Sequence, residues 1–376
     1  MNLYELYSNF LFAKAGSDDI PLSGTFELTA RCNLNCKMCY IHERANDAKI
    51  IKRERSAKQW LALAKECADA GMLMLLLTGG EPTVRKDFKE IYTGCRKLGL
   101  LVSINSNATL MTDEIIDFLA EDPPARVNIT LYGASPETYE KLCGDASAYD
   151  RAIHSILRLK EKGVLVKLNC SVTQYNRHDA EKIYQFAKDN NIVVQTATYM
   201  FPPIRAIENG GSTATRMTAM ESAIEQLKYD KFRFDKETLC NRFTNECNGI
   251  KVADPDNECQ ELPTERIKCR AGHTTFWVTW DWKLRPCGMM TVPSVDIEEG
   301  HFLQAWNKIH AMREEIMIPA KCTNCEVKNM CDQCPALCYA ETGSFTQAPQ
   351  YMCDRTYARL ALIKEELKKM NDELDV

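Results

Sequence analysis

Arg31-Cys32-Asn33-Leu34-Asn35-Cys36-Lys37-Met38-Cys39-Tyr40 is the stretch on which the reading of this chain turns. Its spacing, C-x3-C-x2-C, brings three thiolates to one site. A [4Fe–4S] cluster takes one cysteine on each of four irons. Three ligands leave one iron open, and an open coordination position is where a metal site does chemistry. The competing reading is a zinc knuckle that lacks its last ligand.

Working outward, the apolar run Met72–Leu77 is followed by Thr78-Gly79-Gly80-Glu81-Pro82. A buried parallel strand that ends in two glycines lets a small ligand approach the backbone closely. Glu81 then offers a carboxylate to an ammonium group. By itself such a turn is a common strand-to-helix connection.

Strand-like runs alternate with helical patterns along the first two thirds of the chain. The expected strands begin near Thr25, Met72, Leu100, Val127, Val164 and Ile192, with amphipathic helices between them. Six such repeats predict an α/β fold, a partial (β/α)6 TIM-like barrel, with ligands at the C-terminal strand ends. Those ends carry Cys32–Cys39, Gly79–Glu81, Asn107, Thr130, Ser171 and Tyr199–Arg205. The expected organisation is an amphipathic N-terminal segment (1–24), the barrel (25–236), a polar connector (237–268), a cysteine-rich domain (269–354) and a C-terminal helix (355–376).

The composition is that of an ordinary globular protein, 45% hydrophobic and 26% charged, with a net charge of −5. That balance gives no electrostatic reason to expect a nucleic-acid partner. No apolar run reaches the roughly 18 residues of a membrane span. Met1–Phe12 imitates a signal peptide, but Glu5 is acidic and Ser8 and Asn9 break the run. Eighteen cysteines without a secretion signal fit a reducing cytoplasm and metal ligation better than a disulfide scaffold.

Eight of them form a second field, Cys269, Cys287, Cys322, Cys325, Cys331, Cys334, Cys338 and Cys353. Two zinc sites would also use about eight thiolates. Cys67, Cys95, Cys143 and Cys170 fall inside helix or strand patterns and read as small buried hydrophobes. His273 is the histidine nearest the second field, with a structural role expected.

With the triad and the Gly-Gly-Glu-Pro turn together, residues from Thr25 to Phe234 resemble the radical S-adenosylmethionine (radical SAM) superfamily. The second cysteine field resembles the small iron–sulfur domain of its SPASM subgroup. The resemblance implies a catalytic cluster on Cys32, Cys36 and Cys39 whose open iron binds the amino and carboxylate groups of SAM. Contacts to SAM would come from Tyr40, Gly79, Gly80, Glu81, Asn107, Thr130 and Ser171. Two auxiliary [4Fe–4S] clusters would bring the total to three. The outer one would sit on Cys322, Cys325, Cys331 and Cys353. The inner one would sit on Cys269, Cys287 and either Cys334 or Cys338, with Cys259 or an open iron completing it.

The implied activity is reductive cleavage of SAM to a 5′-deoxyadenosyl radical that oxidatively modifies a peptide or protein side chain, by thioether or carbon–carbon crosslinking. Flavodoxin or ferredoxin would donate electrons, and a separate peptide-recognition protein is expected because only a short segment precedes the barrel. Arg205 is expected to hold a substrate carboxylate. The sequence departs from the family at three places. Ala108 replaces a glycine in the Asn107 turn, Trp282 replaces one before Cys287, and Gly288 stands where sulfatase-maturing members carry an acidic base. Alternatives are a dehydrogenase of a small metabolite and a non-catalytic electron carrier.

Overall fold

The computed structural model describes residues 3–41, 43–205, 213–250, 265–331 and 334–372. Six parallel strands follow one another around the molecule: β1 (Ser23–Glu27), β2 (Met74–Thr78), β3 (Leu101–Ser106), β4 (Arg126–Thr130), β5 (Val166–Ser171) and β6 (Val193–Ala197). The barrel stays open because β1 does not close on β6. It pairs instead with β7 (Thr275–Val278), which continues through antiparallel β8 (Lys283–Arg285) to β9 (Val295–Asp296). The strand order is β9-β8-β7-β1-β2-β3-β4-β5-β6. The cysteine-rich part therefore extends the barrel's own sheet, where a separate small domain was expected.

Alternation along each strand separates two faces. Phe26, Leu75, Leu77, Val102, Ile104, Val127, Ile129 and Leu168 are buried on the outer face against the helices. The helix Ala57–Asp69 shows why those helices form where they do. A capping box of Ser56 and Gln59 starts it, and Trp60, Leu63, Ala64 and Cys67 line its buried side. Trp60 lies 5.1 Å from Phe26 and 4.9 Å from Trp282, ring centre to ring centre. The inner face is polar: Asn105, Asn128, Thr130, Asn169 and Ser171 line it, and Asn128 donates to Asn105 at 2.8 Å.

Two expectations change. The polar connector contains a helix, Lys236–Asn248, whose Leu239 and Phe243 pack with Ile363 and Met370. The last helix runs from Gln350 to Asp372, so it starts earlier than expected, Cys353 lies within it, and it buries an apolar side. Both follow from the same i, i+4 spacing, which was too sparse against the charges to stand out alone. The expected N-terminal helix is present as Leu3–Ser17, yet Tyr7 and Phe10 face outward. Its C-terminal end is tied down by polar contacts: His273 meets Gly16 O at 3.1 Å, and Trp306 donates to Asp19 O at 2.8 Å. His273 is thus structural, as expected. Cys67, Cys95, Cys143 and Cys170 are buried.

Candidate active site

The loop after β1 carries Cys32, Cys36 and Cys39 at the C-terminal mouth of the sheet. It is stitched to its neighbours by backbone bonds, Asn35 N to Cys143 O at 2.9 Å and Lys37 N to Leu142 O at 3.0 Å. Cys32 Sγ accepts the Leu34 N–H at 3.4 Å and faces the Asn107 amide nitrogen at 3.6 Å. Cys36 shares a hydrogen bond with Cys143, which together with burial pushes its thiol well up. Burial, then Glu81, pushes the Cys32 thiol up, and Cys36 and Cys39 add to this, so the three sulfurs sense one another. Tyr132, partly buried beside them, senses all three. Metal coordination would deprotonate such thiols outright.

No three metal-binding side chains gather into a single-ion shell among the described residues. A [4Fe–4S] cluster takes one thiolate per iron, so its ligands stand apart. Three thiols on one loop, with N–H groups aimed at a sulfur, fit that group. No disulfide joins any two of the described cysteines.

The Gly79–Glu81 turn is built differently from the expectation. Gly80 N donates to Thr29 O at 2.7 Å and Glu81 N to Arg31 O at 2.8 Å. A Cβ on Gly79 would stand 2.6 Å from Thr29 O, and one on Gly80 2.4 Å from Arg31 O. The glycines thus admit the neighbouring backbone rather than a ligand. Glu81 is fully buried and turned inward. Its carboxylate accepts from Thr83 Oγ1 at 2.6 Å, Asn107 N at 2.7 Å and Ser106 Oγ at 2.9 Å. Burial pushes its carboxyl up, and the bonds from Thr83, Asn107 and Ser106 offset part of that. Glu81 therefore ties β2 to β3 and holds the Asn107 turn; its side chain is not offered to an ammonium group. Asn107 spans the gap, with Nδ2 on Asn33 Oδ1 at 3.1 Å and Oδ1 accepting from Thr109 Oγ1 at 2.7 Å.

Thr130 and Ser171, the last residues of β4 and β5, stand half-buried at the same mouth. Tyr40 lies beneath Arg205, 5.1 Å from guanidinium carbon to ring centre. The Arg205 fork is closed on Glu27, with Nη1 and Nη2 each 2.8 Å from a carboxylate oxygen, which leaves a buried Nε without a partner among the described residues. Glu27 also accepts from Trp277 Nε1 at 3.0 Å and Trp280 N at 3.4 Å. Sequence reasoning missed Glu27, Trp277 and Arg285; the one available signal was a Glu between Phe26 and Leu28 where the first strand ends.

Across this wall begins the second cysteine field. Burial pushes the Cys287 thiol up to about 12, with Cys334 and Cys269 adding to it. The Cys338 thiol is pushed up to about 12 by burial and then by Cys322, Cys334 and Cys331. Cys325 and Cys353 both act on Tyr357. Cys334 therefore acts on both Cys287 and Cys338, and it packs with Cys287 against one apolar cluster; Cys259 lies outside the described residues. The Tyr199–Arg205 segment lies against this field: Tyr199 Oη donates to Glu341 at 2.5 Å, and Phe201 packs near Cys287 and Cys334. Gly288 sits beneath Trp277, where a Cβ would meet the indole at 2.9 Å. An acidic side chain has no room there.

Residues 26–187 match the model of the Radical SAM superfamily. Those residues form a radical SAM domain, and the chain as a whole is similar to radical SAM proteins of the SPASM-like kind. The AdoMet-dependent heme synthase of Methanosarcina barkeri is 27% identical over 336 residues, 87% of this chain and 94% of that protein. The PqqA peptide cyclase of Rhizobium meliloti is 25% identical over 365 residues, 92% of this chain and 91% of that one. Streptococcus suis SuiB bound to its precursor peptide SuiA superposes with a TM-score of 0.65 at 18% identity, over 94% of this chain and 81% of SuiB. Its S-adenosylmethionine complex gives 0.64 at 19%, over 91% and 80%. These two likenesses show the fold. Among the described residues no helix is long and apolar enough to cross a membrane.

Proposed function

We propose that this chain is an S-adenosylmethionine-dependent radical enzyme that oxidises a peptide or protein side chain. The carrying observation is that one sheet joins the two cysteine fields: β1, which leads into the Cys32–Cys39 loop, pairs with β7, and β7 pairs with β8, which leads to Cys287. A substrate on its polar inner face lies between the two cysteine fields. When bound, the cluster and SAM supply a 5′-deoxyadenosyl radical able to take an unactivated hydrogen. Asn107, Thr130, Ser171 and Tyr40 would orient SAM, and Glu81 would hold the Asn107 turn in place. Cys269, Cys287 and Cys334 would carry the inner auxiliary cluster, and Cys322, Cys325, Cys331 and Cys353 the outer one. The names of PqqA peptide cyclase and of the SuiB–SuiA complex support a peptide substrate.

A second reading, a small metabolite as substrate, is favoured by the heme synthase likeness over 94% of that protein. Anaerobic reconstitution should give about twelve iron and twelve sulfide per chain, and replacing Cys32, Cys36 and Cys39 by Ala should remove about four of each. Reduced enzyme should release 5′-deoxyadenosine. A peptide product should be lighter by about 2 Da per modification, the loss of two hydrogens. Stoichiometric zinc without charge-transfer absorption would end the reading. Oxidation of a small metabolite with every candidate peptide unchanged would replace it by the second.

A further inference from the structure

The β7–β8 hairpin brings a buried cation to the inner wall that the proposed chemistry leaves without a role. Arg285 stands opposite Trp277 in the hairpin, and Trp277 stands opposite Thr25 of β1. Alternation puts Arg285, Trp277, Thr25 and Glu27 on one face. Arg285 is only 9% exposed. Its Nε reaches Ser294 Oγ at 3.4 Å, whereas its Nη1 is buried with no partner among the described residues. Arg205 Nε is buried and unpartnered in the same way.

Arg205, Asp281, Glu27 and the Cys287 sulfur all lie close enough to act on the Arg285 guanidinium. Glu27 is already committed to Arg205, Trp277 and Trp280. Asp281 is held by Thr279 Oγ1 at 2.6 Å, and no ion pair joins it to either arginine among the described residues. Each arginine thus keeps one buried N–H without a partner among the described residues, and a buried donor left unsatisfied is unfavourable. Two guanidinium N–H donors match the two oxygens of a carboxylate.

We propose that Arg285 Nη1 and Arg205 Nε together bind a carboxylate of the substrate, so that the enzyme acts on an acidic molecule. This rests on the reading of the inner face as the substrate chamber. It is open to two sources of the same chemistry, an acidic peptide side chain and a propionate arm of a tetrapyrrole.

Binding to the full reconstituted chain, followed by tryptophan fluorescence, is the test. Propionate should bind saturably and the neutral propionamide should not. Arg285→Gln should weaken propionate binding about tenfold or more, the loss of a charge-assisted contact, and Arg285→Lys should weaken it less. A glutamate-containing peptide or a propionate-bearing tetrapyrrole should then displace propionate, which names the source. Equal binding of propionate and propionamide to the unaltered protein overturns the proposal, even if the variants fail to fold. So does displacement by neither competitor. A shifted auxiliary-cluster potential in Arg285→Gln with propionate binding unchanged would assign the arginine to the cluster instead. Release of 5′-deoxyadenosine by the unaltered enzyme, measured without any added carboxylate, tests the underlying reading separately.

Discussion

Arg205 and Glu27, 178 residues apart, form a two-pronged ion pair with both nitrogen–oxygen distances at 2.8 Å. Glu27 ends β1, and Arg205 follows β6 and the Tyr199–Ile204 segment, so the pair ties the first barrel strand to the chain beyond the last. It does so across the gap that an open barrel leaves. Trp277 adds the auxiliary hairpin to the same carboxylate.

Removing one partner of such a pair leaves a buried charge. Glu27→Ala and Arg205→Ala should each lower unfolding stability by about 3–5 kcal/mol. The double variant should be destabilised by much less than the sum, because the second loss removes the stranded charge. Urea midpoints with an unchanged slope provide the measurement. Strict additivity would mean that the pair is not coupled.

Glu81 links stability to pH with a definite sign. Its carboxyl is raised above its ordinary 4.5 by burial, so the folded state holds the proton more tightly than the unfolded chain. The contribution is full below about pH 4.5 and is lost as pH rises through the raised value. Glu81→Gln keeps the shape without the titration. The stability of the unaltered protein relative to Glu81→Gln should therefore fall as pH increases from 4.5. A difference independent of pH would show that the carboxyl is not raised. Glu81→Ala should cost about 1–3 kcal/mol for each buried donor left without a partner among Thr83, Ser106 and Asn107.

Two departures from family glycines keep the glycine backbone. Ala108 has φ +60° and Trp282 φ +70°. A left-handed conformation costs a residue with a Cβ about 1–2 kcal/mol. Ala108→Gly relieves that strain and loses only a methyl group, so a change between neutral and about 1 kcal/mol more stable is expected, since glycine is freer when unfolded. Trp282→Gly relieves the same strain but removes a ring packed on Trp60 and Arg55, and should lose about 2 kcal/mol or more. Thermal midpoints moving in the same direction for both would contradict this.

Gly288→Asp should not confer a catalytic base. The new Cβ meets the Trp277 indole, whose N–H is held by Glu27, so the ring must move or the loop must shift. A loss of about 1–3 kcal/mol, typical of overpacking, with altered tryptophan fluorescence is the expected outcome. An undisturbed fold that gains activity on a sulfatase-type peptide would refute it.

The sequence alone determined the strands and helices of the barrel and the cysteine triad of the first site. Strand and helix periods are local properties, and the Cys32–Cys39 spacing lies within one loop, so both are readable without long-range contacts. The existence of the Gly79–Glu81 turn was legible; its role was not, because the backbone that crowds the glycines comes from Thr29–Arg31. The second cysteine field was recognisable as a set, but a linear spacing cannot say which of Cys334 and Cys338 folds toward Cys287. Helix Lys236–Asn248 stayed hidden because its two buried residues gain meaning only against the last helix.

Only the tertiary structure decided that the hairpin from Thr275 to Arg285 continues the barrel sheet, and that Glu27, Arg205, Trp277 and Arg285 meet. Backbone pairing between strands far apart in sequence, and the burial of charges until each finds a partner, are collective properties of the folded chain. No window of residues carries them, and the inner wall of the site is made from them.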